Sequence, residues 1–372
     1  MSPVYIAADN IFSPLGNSTK ENFEKVKNGL SAIRQISDPS LSPEPFYTSI
    51  FERVISVKGF TRFESICIAS IQDALSQTEI KFSSHDTLFI LSTTKGNIEL
   101  IEGKEVTEEI RSHVSLFNTA KFIAEYFNSP NNPLVVSNAC ISGVLSVIIA
   151  KRLLESGKYK HVVITGADVL SRFVISGFQS LNAMSKNPCR PFDKNRDGIN
   201  LGECAATIIL TTEKTLSKGV LINGGASSND ANHISGPSRT GLELSFAVTK
   251  AMKESKVSAD DLSFISAHGT ATLFNDEMES KAFAGASLSE IPLHSLKGNF
   301  GHTLGAAGVL ESVLTYRSLL EGIILPSKNF ESIGVSENVN VNQSLLKSSK
   351  THALKTASGF GGCNASLIYS LM

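Results

Sequence analysis

Three observations predict an α/β fold built from two similar halves. Short β-rich runs alternate with helical ones along the chain, two stretches of sequence recur at a nearly constant offset, and one helix is apolar on almost every side. The alternation comes first. Strands are expected at Leu134–Val136, His161–Thr165, Ala205–Leu210, Leu262–Ser266 and Ser366–Tyr369. Helices are expected at Ser142–Glu155, Leu242–Glu254, Asp276–Phe283 and Ala307–Leu320. Such an order favours central, mostly parallel sheets covered by helices. Glycine-rich turns punctuate it at Asn223–Gly225 and Ser358–Gly362.

The recurrence is the second observation. Gly143–Gly157 aligns without a gap on Gly308–Gly322, an offset of 165, sharing both end glycines, a Val-Leu pair, one Arg and one Leu. Gly202-Glu-Cys-Ala-Ala-Thr-Ile-Ile aligns on Gly361-Gly-Cys-Asn-Ala-Ser-Leu-Ile at an offset of 159. Two matches in the same order at nearly one offset indicate an internal duplication. The third observation is the helix Ser142–Glu155. Apart from Lys151 and Arg152 it has little polar face, so it belongs between two layers rather than on a surface. Two halves packed face to face put both such helices in the middle of a five-layer αβαβα stack. The expected division is residues 1–215 for the first half and 216–372 for the second.

Composition bounds the function. Of 372 residues, 41% belong to the AVILMFWYC set and 19% are charged, a globular balance with material for a large core. Thirty-four basic against 35 acidic side chains give a formal charge of −1, so nucleic acid and membrane are not expected partners. Cys67, Cys140, Cys189, Cys204 and Cys363 are scattered, with no CxxC pair. That argues against a disulfide framework or structural zinc and for a reducing compartment with a free thiol. The first residues lack a charged run followed by an apolar one, and no apolar run reaches the roughly 18 residues of a membrane span. A soluble, cytoplasmic protein is expected.

Cys140 follows the strand Leu134–Val136 and precedes the apolar helix. A thiol there meets exposed helix N–H groups and the positive end of the helix dipole, a setting that lowers its pKa. Position alone leaves it as either a nucleophile or a buried core thiol. Of eight histidines, His268 and His302 stand apart. His268 opens His268-Gly-Thr-Ala-Thr272 after a strand, and His302 lies in Lys297-Gly-Asn-Phe-Gly-His302. Both sit on turns where α/β sheets present functional groups. Neither makes a helical zinc-ligand pair, so no metal is expected. Gly359-Phe-Gly-Gly362 is either an oxyanion-binding turn or a plain one, and it lacks the Gly-Lys-Ser/Thr ending of a phosphate loop.

Together these motifs resemble the β-ketoacyl synthases, or 3-oxoacyl-(acyl carrier protein) synthases, of the Cys-His-His type in the thiolase superfamily. The resemblance spans the chain. It also includes Ser13-Pro-Leu-Gly-Asn17, Arg190-Pro-Phe-Asp-Lys-Asn-Arg-Asp-Gly198, Asn275-Asp276, Glu311 and Asn364. It implies the duplicated five-layer fold and a decarboxylating condensation of an acyl-Cys enzyme with malonyl-acyl carrier protein, in fatty-acid or specialised polyene or polyketide synthesis. Cys140 would accept the acyl group. His268 and His302 would promote decarboxylation, and Lys297 would orient His302 with Glu311 as its ionic partner. Asp276 would support the site. The N–H groups of Cys140 and Phe360 would form an oxyanion hole, with Phe360 also the gate. Thr270 and Thr272 would hold the phosphopantetheine arm of the carrier, and no other cofactor is implied. The implied assembly is a homodimer, or a heterodimer with an inactive homologue. The related alternatives are a malonyl decarboxylase and a thiolase-like acyltransferase. An acidic carrier needs a basic patch. Arg53, Lys58 and Arg62 are candidates, although an ordinary solvated face accounts for the same pattern. The chain departs from the family where a glycine-rich opening reads Ala7–Phe12, at Cys204 in the Gly-Glu-Cys turn, at Ser358 where an aromatic is common, and in its shorter first half.

Overall fold

A computed structural model describes residues 2–53, 55–103, 105–231 and 236–372. Five strands of the first half are β1 (Tyr5–Phe12), β2 (Thr87–Ser92), β3 (Leu134–Val136), β4 (His161–Asp168) and β5 (Cys204–Thr211). Its three packing helices are α1 (Arg62–Ser76), α2 (Leu116–Tyr126) and α3 (Ser142–Glu155). The second half supplies β6 (Val220–Asn229), β7 (Leu262–Ser266), β8 (Leu293–His294), β9 (His352–Gly359) and β10 (Cys363–Leu371). Its helices are α4 (Leu242–Ser255), α5 (Leu273–Gly285) and α6 (Ala307–Leu320).

Strand order demonstrates the duplication. The first half runs β1-β5-β4-β2-β3 and the second runs β6-β10-β9-β7-β8, so adding five to each label converts one into the other. The halves are not separate sheets. β1 and β6 pair at Tyr5 and Leu221, which makes one ten-stranded sheet with the join at its centre. In each half, parallel strands lie towards the outer edge and antiparallel ones towards the join.

The layers follow from which side chains alternate. Along β5, Ala206, Ile208 and Leu210 join the inner core, while Ala205 and Ile209 face an outer one under α1. A strand buried on both faces reads as a continuous apolar run, as this one does. α1 and α2 cover the first half-sheet, α4 and α5 cover the second, and α3 and α6 lie between them. The five-layer stack is therefore the observed fold. α1 starts with a capping box, Thr61 and Glu64 each closing the other's backbone N–H, which fixes where the helix begins. On α3, Lys151 is buried rather than a polar fringe, held at 2.7 Å by both Glu155 and Glu254.

The middle layer is tightest at the end glycines of the repeat. A Cβ on Gly143 would stand 2.5 Å from the Val309 nitrogen and 2.7 Å from Gly308 Cα, and one on Gly308 would strike the Val144 nitrogen. The two central helices thus cross backbone to backbone at their N-terminal ends. Among the described residues, no helix is long and apolar enough to cross a membrane.

Candidate active site

The crossing explains why distant residues meet. Cys140 precedes Gly143 and His302 precedes Gly308 by only a few positions, so whatever leads into α3 and α6 is brought to one place. His268 joins them from the end of β7. The Cys140 sulfur and a ring nitrogen of each histidine all lie within 4.8 Å of one another. The two imidazoles meet edge to face, with centroids 5.2 Å apart at 82°. Ala139, immediately before the cysteine, is held at φ 43°, a left-handed conformation that costs about 1 kcal/mol and aims the next residue out of the strand.

Hydrogen bonding sets which ring nitrogens carry protons. The Leu304 N–H donates to His302 Nδ1 at 3.3 Å, so the neutral ring carries its proton on Nε2, which is buried and has no protein partner. Lys297 Nζ lies 3.2 Å from His268 Nδ1. An ammonium can only donate, so His268 also carries its proton on Nε2. The same ammonium donates to the His268 carbonyl at 2.5 Å and to Glu311 Oε1 at 2.7 Å. This corrects the expected pairing: Lys297 holds His268, and the backbone of Leu304 orients His302. Burial, reinforced by the positive charge of Lys297, pushes both imidazoles well below the usual histidine range. Burial alone would raise Glu311, but the neighbouring ammonium groups outweigh it and keep it ionised. Three donors this close would also suit a soft divalent cation. The ammonium already bound to His268 opposes a positive ion there.

The thiol corrects a second expectation. Despite its place before α3, Cys140 is pushed up to about 12 by burial, aided by Cys363, and the Lys297 charge offsets this only in part. Desolvation is the largest cause of the rise. The Phe360 N–H faces the sulfur and opposes the rise, and Gly359 abuts the Cys140 nitrogen so closely that a Cβ would stand 2.9 Å from it. The N–H groups of Cys140 and Phe360 are therefore adjacent. The Phe360 ring is 41% exposed and stacks on Phe178 at 5.9 Å. It borders a cavity of about 430 Å³ that Cys140, His268, His302, Thr270, Thr272 and Ser358 also line. The Thr270 and Thr272 hydroxyls are 2.9 Å apart on its wall. The Ser358 hydroxyl, where an aromatic is common in the family, is buried and bonds Asn364 at 2.7 Å.

Asp276 holds the wall from behind. Its carboxylate accepts from the N–H groups of Phe192 at 2.7 Å, Thr270 at 2.9 Å and Ala271 at 3.1 Å, and burial raises it to about 6. Two further acids do similar work. Glu279, one helical turn from Asp276, accepts from the N–H groups of His268 at 2.9 Å and Gly269 at 2.6 Å. Asp168 accepts from Thr93, Thr94 and Lys95 on one side and from the Gly305 N–H at 2.7 Å on the other. It ties the first half to the His302 loop. The i, i+3 spacing of Asp276 and Glu279 is a sequence signal for the former. For Asp168 the signal is an acid ending an otherwise apolar strand.

The basic trio is not brought together as one patch. Arg53 and Lys58 are exposed. Arg62 is instead an internal ion-pair partner, 2.5 Å from the fully buried Glu203 and 3.6 Å from Glu99. Cys67, Cys189 and Cys204 are buried away from the cavity with their thiols raised, whereas Cys363 lies beside the nucleophile loop, bonding the Phe360 carbonyl at 3.4 Å. His233 lies outside the described residues.

With this geometry in hand, comparison with known proteins agrees. Residues 92–215 match the family model of the beta-ketoacyl synthase N-terminal domain, and residues 219–331 match that of the C-terminal domain. The chain is 26% identical over 426 residues to a putative mitochondrial 3-oxoacyl-[acyl-carrier-protein] synthase of Schizosaccharomyces pombe, covering 99% of each. It is 28% identical over 420 residues to 3-oxoacyl-[acyl-carrier-protein] synthase 2 of Vibrio cholerae, again covering 99% of each. In fold it is similar to a ketosynthase of Xenorhabdus doucetiae solved in complex with its chain length factor. The TM-score is 0.90 at 24% identity, covering 100% of this chain and 98% of that one.

Proposed function

The chain belongs to the β-ketoacyl synthases, and from that premise we propose that it condenses an acyl group held on Cys140 with a malonyl group carried by acyl carrier protein, releasing carbon dioxide. One observation carries the reading: the thiol and two imidazoles, both with Nε2 protonated, converge within 4.8 Å beside a cavity.

In the first half-reaction the Cys140 sulfur attacks the thioester carbonyl of an acyl carrier. The oxyanion is met by the N–H groups of Cys140 and Phe360. The carbon–sulfur bond to the carrier breaks, and the proton lost by Cys140 ends on the departing carrier thiol. In the second, malonyl carrier enters with its arm along Thr270 and Thr272. Loss of carbon dioxide leaves the bonding pair as an enolate, and the Nε2–H groups of His268 and His302 donate to its oxygen. The enolate carbon attacks the acyl-Cys carbonyl held next to it. The new carbon–carbon bond forms, the bond to Cys140 breaks, and the thiolate takes up one proton from solvent. Neutral imidazoles suit this chemistry, because they donate without competing for the malonyl carboxylate. The scheme calls on no redox group, nucleotide or metal.

The carrier's acidic surface would meet Arg53 and Lys58. The outer edge of β3, with Leu134 exposed, offers a strand for a second subunit, either an identical copy or a non-catalytic homologue of the chain-length type. The intact Cys-His-His set makes this chain the catalytic member of either pair. A cytoplasmic setting fits the free thiol on which the chemistry depends.

The test is incubation with a panel of acyl carriers plus malonyl carrier, with products identified by mass. A 3-oxoacyl carrier two carbons longer than the primer, formed with carbon dioxide, is the expected result. Carbon dioxide without chain extension would make the protein a decarboxylase and overturn the condensing role.

A further inference from the structure

Behind the histidine pair lies a second lysine that the mechanism above does not use. Lys355, on β9, has no exposed surface. Placing an ammonium there is costly unless its donors are met. They are. Nζ stands 2.7 Å from Glu311 Oε2, the oxygen that Lys297 leaves free, and donates to the carbonyls of Thr356 at 2.6 Å and Ser266 at 3.2 Å. Ser266 closes β7, two positions before His268. Lys355 therefore reaches His268 by two routes: through the strand end that presents it, and through Glu311 and Lys297 to its ring.

We propose that Lys355 is a positioning residue of the condensing site, clamping the Glu311–Lys297 chain and the end of β7 so that His268 keeps Nδ1 on the lysine and presents Nε2–H to the enolate. Thr356, the next residue, completes the clamp by bonding Glu279 at 3.0 Å, the acid that holds the His268 N–H. The charged and titratable groups facing Lys355 are Glu311 from α6, Lys297, Glu279 from α5, His294 from β8, and the two site histidines. Two ammonium groups meet two carboxylates here, Glu311 and Glu279, and the ammonium charges are the ones that act on the imidazoles. Burial first, and then the neighbouring lysine charges, hold both rings below the usual histidine range. Removing Lys355 lifts part of that field, so the rings protonate at higher pH. A protonated His268 carries a proton on Nδ1 and can no longer accept from Lys297.

This inference rests on the condensing reading, and the experiment separates the two. Carbon dioxide release from malonyl carrier is followed across about pH 4 to 9, reaching below the ordinary imidazole range because both rings are held under it, alongside Cys140 acylation by intact mass. In Lys355→Met, which leaves Lys297 and Glu311 as a balanced pair, decarboxylation is expected to fall about tenfold near neutral pH, the scale of a misplaced reacting group. Its acid limb is expected to move up by about one pH unit, as loss of a nearby charge predicts. Acylation stays close to wild type, and Lys355→Arg restores the profile. A folded Lys355→Met with an unmoved acid limb and near wild-type decarboxylation overturns the proposal. Should the Met variant not fold, Lys355→Gln keeps a donor for the carbonyls without the charge, and an unmoved acid limb there overturns it equally. A wild-type enzyme that releases no carbon dioxide defeats the condensing reading itself, and the role of Lys355 falls with it.

Discussion

The loops that lead into α3 and α6 occupy corresponding places in the two halves, yet they do opposite things. The first ends in Cys140, partly exposed to the cavity, with a strained Ala139 before it. The second begins at Lys297, which pairs with Glu311, and carries His302, almost fully buried. One loop presents the atom that reacts, and the other supplies an electrostatic environment. Duplication explains why they meet, and divergence of the few residues before each helix explains why they differ.

The largest effect is expected at the presenting loop. Cys140→Ala should abolish the acyl-enzyme, since no other thiol bordering the cavity can take the acyl group in the same geometry; intact mass after incubation with an acyl carrier checks it. Acylation that survives would remove Cys140 from its role. Cys140→Gln should keep malonyl decarboxylation, because the histidines that stabilise the enolate are untouched. The thiol, raised to about 12, also makes a pH prediction. A group protonated well above neutrality becomes about tenfold more reactive per pH unit, because its thiolate fraction grows until the pKa is reached. Alkylation of Cys140 should therefore rise steadily from neutral to alkaline pH without a plateau near the ordinary thiol value.

Next comes the second loop. His302→Ala should lower decarboxylation by about 10² to 10³-fold, the scale of one lost donor to a developing oxyanion. Transfer of an acyl group to Cys140 should fall much less. Equal losses in both half-reactions would erase the division of labour between the loops.

Much of this was legible in the sequence. The bounds of α3, α6, β3 and β7 match the expected ones because each is an apolar run closed by glycines or polar turns. Cys140, His268 and His302 were legible because each stands on a turn after a strand. The partner of Lys297 was not. Nearness in sequence favours His302, whereas the pairing of β7 beside β8 brings His268 against the ammonium. The thiol was misjudged because helix position is local, while burial is set by the whole fold around it and Cys363 adds to the rise from the far end of the chain. Arg62 looked like surface charge because Glu203, which pairs with it, lies far along the sequence. Lys355 gave no sign at all, since a single lysine in a strand looks like an exposed edge until its ammonium is seen to share Glu311 with Lys297.

The smallest effect on chemistry, and the sharpest test of the shared origin, is at the helix crossing. Gly143→Ala and Gly308→Ala each add a methyl group where three backbone atoms of the opposite helix already stand within 2.9 Å. Backbone cannot rotate aside as a side chain can, so each variant should lose about 3 kcal/mol of unfolding free energy, the upper range of overpacking. Because the two glycines occupy one crossing related by the repeat, their costs should be nearly equal, and the double variant should cost less than the sum, since the first methyl already forces the helices apart. Denaturant unfolding measures all three. Catalysis in the folded fraction should decline most in carbon–carbon bond formation, the step that needs the acyl-Cys140 and the enolate at His302 side by side, because separating α3 from α6 moves the two apart without touching either. Unequal costs, or simple additivity, would mean that the two loops are held by independent contacts and that the crossing does not set their spacing.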